Sequence, residues 1–219
     1  MKEWTTFGVN YTAKVACAKC NNGWMSAFEH NEAKPTLTDM IRYGGAISLL
    51  PRGIASIAAF GFKMAAIANY TGYQNQPYFS EADRYGFAKT LKVPDGVQMW
   101  LFALNTPGRL TAKVNGYLGR LPAEVIQRFD MYMGTFAIGY FGIQVVASRW
   151  SNPHLSAVLG RFPGLAEGNH WRGATVKLWP SDGTPVLWPP QLYIGSNDID
   201  EFSTRWREVS MPKEWVSKR

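Results

Sequence analysis

Cys17 and Cys20 are the only cysteines of the 219 residues, and they stand two residues apart in "ACAKCNNGWMSAFEH". That spacing serves three chemistries. As thiolates the pair supplies half of a tetrahedral zinc site, which takes four ligands, usually thiolates and imidazoles. As a dithiol it could cycle with a disulfide, although a thioredoxin-like site needs a preceding strand and a βαβ context. As unliganded thiols it would do no chemistry. Only three histidines are available as further ligands. His30 follows as C-x2-C-x9-H, on a helix that could turn it back toward the cysteines as a third ligand. His154 and His170 stand in loop-like stretches, "NPHL" and "GNHW", that suit local hydrogen bonds.

Other catalytic patterns are missing from the sequence. "FGFKMAA" lacks the phosphate-cradling P-loop spacing, and there is no GxSxG elbow. Asp198, Asp200 and Glu201 cluster at an expected helix start, where they complement the helix dipole. Arginine interleaves with tryptophan at Arg149-Trp150, His170-Trp171-Arg172 and Arg205-Trp206-Arg207. Such pairs stack on unpaired bases. They equally suit core packing or a protein interface, where Trp and Arg also concentrate. Arg149, Trp150, Arg172, Arg205 and Arg207 are therefore the candidate contacts to nucleic acid or a partner protein.

The elements that must position these groups follow from patterning. A chain 46% apolar and 14% aromatic builds a packed core. Ser26 and Glu29 match the capping box S-x-x-E, so a helix is expected to start there, bend at Pro35 and end at Tyr43-Gly44-Gly45. Asn21, Asn22 and Gly23 read as the turn before it, with a positive φ at Gly23. Trp24 and Phe28 should pin this helix to the core. Ile54, Ile57, Ala58, Phe62 and Ala65 recur at helical spacing behind Pro51, and a third helix is expected from Ser80 with Asp83 near its start. Strands follow: "VQMWLFAL" and "LTAKVNGYL" around a turn at "NTPGR", then "MYMGTFAIGYFGIQVVASRW" as two strands meeting near Gly139 to Gly142. "ATVKLWP" and "PVLWPP" add two more, split by "SDG", before a closing helix from Asn197 to about Arg207. The expected fold is α+β: a half zinc-knuckle and helices, then a mostly antiparallel sheet and a C-terminal helix. The expected division is 1–45 for the knuckle segment and 46–219 for the α+β domain.

The segment Cys17 to Glu29 resembles the second half of the zinc knuckle in HNH-endonuclease-related proteins of bacteria and their phages, whose signature is of the CxxCNxGWMSxLE type. The helix carrying Lys63, "AIGYFGIQVV" and the Trp-Pro pairs have pattern-level counterparts there. The resemblance implies zinc as cofactor, and an upstream ligand pair together with a catalytic His that activates water for attack on phosphorus. The residues before Cys17 contain no His, no Cys and one acid, Glu3. The implied protein is therefore catalytically incomplete and binds nucleic acid or a nucleic-acid-processing complex. Two alternatives stand beside it. One is a phage- or mobile-element-encoded inhibitor of a host nuclease or defence complex; the other is half of a split HNH endonuclease. The formal charge of +7 favours an acidic partner, although the basic residues are scattered. No secretory signal is legible, and the Ala-rich helix with Lys63 falls short of a membrane span, so a cytoplasmic protein is expected.

Overall fold

The computed structural model describes residues 16–70, 78–119, 129–150, 171 and 173–204. Its leading helical run covers residues 18–43 in five consecutive segments. These are α1 (Ala18–Cys20), a wide π turn (Asn21–Met25), α2 (Ser26–Phe28), a second wide turn (Glu29–Ala33) and α3 (Lys34–Tyr43). The run starts nine residues earlier than the S-x-x-E pattern implies. Cys17, not Ser26, is the N-cap, and Ser26 lies inside the run. Gly23 does not take a positive φ. Its φ of −95° and ψ of −112° put a kink in the helix instead.

Pro35 does not break the run. A proline lacks its N–H and crowds the carbonyl four residues back. The preceding turn is π-wide, a local loosening that helices use to absorb such a misfit. Gly44 then closes the helix in the left-handed conformation, φ 62°.

Helix α4 (Pro51–Ala68) begins with proline in its first turn, as the sequence requires. Helix α5 (Glu81–Thr90) has a full capping box, with Asp83 N–H donating to Ser80 Oγ and Ser80 N–H donating to Asp83. The main sheet is antiparallel, in the order β3 (Phe129–Trp150), β2 (Val97–Gly119), β4 (Thr175–Trp179). A second sheet pairs β1 (Ile47–Leu49) with β5 (Val186–Trp188), also antiparallel. Helix α6 (Ile199–Thr204) follows. The fold is α+β.

Two expected breaks in the sheet are absent. "NTPGR" is not a turn: β2 passes through it with register shifts between Ala103, Gly108 and Thr111. The strand is held there from outside, because Asn105 N–H donates to the Ile194 carbonyl and Thr106 bonds Ser196. Likewise β3 is one strand, bent at Gly139 rather than divided. Gly139 has φ 58°, and a Cβ on it would run into the Ile41 carbonyl of α3.

Strand alternation gives the sheet two buried faces. Met99, Leu101, Phe141, Ile143 and Val145 join Ile54, Ile57 and Phe62 of α4 and Phe28, Leu37 and Met40 of the leading run in one core. Gly61 lets α4 sit close, since a Cβ there would collide with Ile143. On the other face Phe102 and Leu104 pack with Ala174, Ile194, Ile199 and Phe202. Trp188 ties the small sheet to the large one through Nε1–H donating to the Phe102 carbonyl, 3.2 Å away. No helix among the described residues is long and apolar enough to cross a membrane.

Candidate functional site

The cysteine pair sits at the exposed start of the leading run. Cys17 is extended (φ −68°, ψ 155°), as an N-cap must be, and its Sγ accepts from the Cys20 N–H at 3.3 Å. Cys20 is N3, which turns its thiol toward Cys17. The two titrate as a pair. Hydrogen bonding from the Cys20 thiol, and then from its backbone N–H, pulls Cys17 below the usual thiol value. The same contact with Cys17 pushes Cys20 up. When the pair loses a proton, Cys17 ionises before Cys20.

Metal chemistry needs more than this. Cys17 is exposed and Cys20 half-buried, so both sulfurs can reach an ion, and side-by-side thiolates are two of the four donors of a knuckle. Among the described residues no three His, Cys, Asp or Glu side chains gather as a metal site. His30 lies exposed in the wide turn Glu29–Ala33, beyond the kink at Gly23, and does not complete such a cluster with the cysteines. It faces a groove instead. His154 and His170 lie outside the described residues.

The segment after the cysteines is anchored as expected. Phe28 is buried in the core, and Trp24 packs edge-on against Phe87 of α5, ring centres 5.9 Å apart. The sequence reading missed the role of Glu29. This residue does not serve a capping box; it forms an ion pair with Lys63 in the middle of α4. The Lys63 side chain is only 6% exposed, and its Nζ stands 5.1 Å from the centre of the Phe60 ring. Burial pulls its pKa down from 10.5 to about 8. The signal in the sequence was a lone cation on the apolar face of an Ala-rich helix, which marks a buried, partnered lysine. A surface pair, Arg52 with Glu32 at 3.1 Å, also joins the leading run to α4.

The aromatic-basic candidates are not brought together by described side chains. Arg149 and Trp150 end β3, where the backbone alone is described. Arg172, Arg205 and Arg207 lie outside the described residues. Of the other tryptophans, Trp100 and Trp188 are buried and Trp171 packs on Phe202, so these three serve the core. Compared with known proteins, the chain matches no family model, no curated protein and no solved structure.

Proposed function

We propose that these residues form a nucleic-acid-binding body of HNH-nuclease type that carries half of a zinc knuckle and does not cut by itself. The observation that carries the reading is Cys17-Ala18-Lys19-Cys20. The Cys20 N–H donates to Cys17 Sγ at an exposed helix start, and the following NNGWMSAFE segment is fastened to the core by Trp24, Phe28 and Glu29. Zinc, when bound, would rest on Cys17 and Cys20 plus two ligands supplied by another polypeptide or by chain beyond these residues. It would brace the start of the helix rather than activate water. The net charge of +7 supplies the attraction to phosphates.

The test is a nicking assay on supercoiled DNA with magnesium or manganese, run beside zinc analysis. The expected result is DNA retention without strand scission, with zinc held below one ion per chain and lost in Cys17→Ala. Metal-dependent nicking by the chain alone would overturn the reading. Nicking that appears only when a second polypeptide is added would make it half of a split endonuclease.

A protein effector acting on a host nuclease or defence complex is the second reading, favoured by one surface. Leu187 of β5 is 69% exposed and Leu50, two residues beyond its register partner Ser48, is 62% exposed. Exposed apolar neighbours of this kind suit a protein partner.

A further inference from the structure

A groove of about 620 Å³ runs beside the leading helix, within the size range of small-molecule sites. One wall is a stripe of that helix reaching from Ser26 to Ile41, and His30 and Lys34 stand on it. Phe60 and Met64 of α4 and Phe136 and Ile138 of β3 also line it. The fifteen steps from Ser26 to Ile41 rise about 22 Å, so the slot is long as well as apolar. Its charge is one-sided. Glu29 is on the wall, but its carboxylate is met by the Lys63 ammonium. Among the described lining residues Glu29 is the one acidic side chain, so Lys34 and His30 meet no other carboxylate there.

We propose that this groove binds a small amphipathic anion, a monocarboxylate on an unbranched hydrocarbon chain. The chain would lie along Phe60, Met64 and Ile138, and the carboxylate would accept hydrogen bonds from Lys34 and His30. An apolar body gains by leaving water, while a single anionic end fits the single cationic edge. The groove is separate from the cysteine pair, and the proposal does not depend on zinc or nucleic acid.

The experiment is calorimetric titration of the 219-residue protein with decanoate, kept below its micelle concentration. Expected is saturable 1:1 binding in the micromolar range. The neutral counterpart 1-decanol should bind at least about tenfold more weakly, the scale of one charge-assisted hydrogen bond. The double variant His30→Gln/Lys34→Gln alters only exposed side chains, so it should fold; it should lose about tenfold or more for decanoate and nothing for 1-decanol. Met64→Trp, which puts a larger side chain into the lining, should weaken both ligands with the circular dichroism spectrum unchanged. Absence of saturable decanoate binding, equal affinity for the alcohol, or full affinity in the double variant would each overturn the proposal.

Discussion

A buried ammonium is the most consequential single group described. Lys63 titrates near 8 rather than 10.5, a difference worth roughly 3 kcal/mol at about 1.4 kcal/mol per pH unit. Its pairing with the half-exposed Glu29 therefore falls short of repaying its dehydration. Lys63→Met, similar in length and apolar, is expected to raise stability at pH 7 by about 1–3 kcal/mol in urea unfolding. Glu29→Ala should lower it by about 1–3 kcal/mol, because the charge stays buried without its carboxylate. The pH dependence has a definite sign. A lysine with a lowered folded-state pKa leaves the unfolded chain holding more protons between about 8 and 10.5, so its cost is relieved as pH rises through that window. Wild type should gain on Lys63→Met by up to about 1.4 kcal/mol per pH unit from pH 8 to 9.5. Above pH 10 Tyr132 acts oppositely, since burial raises its pKa and the unfolded chain ionises first. Cys17 offers a second residue-scale separation of roles. Cys17→Ser keeps an N-cap acceptor and should cost less stability than Cys17→Ala, and any zinc uptake should be lost in both. The cysteines were legible as chemistry from residue type and spacing, whereas Lys63 was read as the charge that keeps its helix short of a membrane span. Glu29 was not legible, because S-x-x-E is a local template that any helix interior can match, and its true partner lies on another helix.

Elements with local determinants were readable, and those shaped by tertiary contacts were not. Proline in the first turn of α4, the Ser80–Asp83 box of α5 and the glycine ending α3 each act within a few residues. The box predicts that Ser80→Ala lowers stability by about 1 kcal/mol, readable as a shift in urea midpoint at constant slope. "NTPGR" carries every local mark of a turn, yet Ile194 and Ser196 hold it extended from ninety residues away. Gly139 to Gly142 was read as the junction between two strands. The actual task of Gly139 is to bend β3 under the Ile41 carbonyl. Gly139→Ala combines a left-handed φ with that collision and should cost more than about 2 kcal/mol, or prevent folding. Gly45→Ala, with open space around its Cβ, is the control expected to change little.

Over the whole molecule, composition and the switch from helical to strand patterning gave the α+β class, and the described structure has it. One core runs from Phe28 of the leading segment through α4 to the sheet, and Trp24 packs against it four residues after Cys20. Function was less legible, for a physical reason. Scattered positive charge and aromatic-basic pairs serve phosphate contact, core packing and protein contact alike, and several of the tryptophans turn inward. Affinity for phosphate differs from the other roles in its response to salt, because each neutralised phosphate releases counterions. The direct measurement is therefore fluorescence anisotropy of a labelled random-sequence DNA titrated with this chain between 50 and 200 mM salt. Binding that weakens along a straight log–log line, with a slope corresponding to several phosphates, is the predicted result. Absence of binding at the lowest salt, or binding indifferent to salt, would contradict the account.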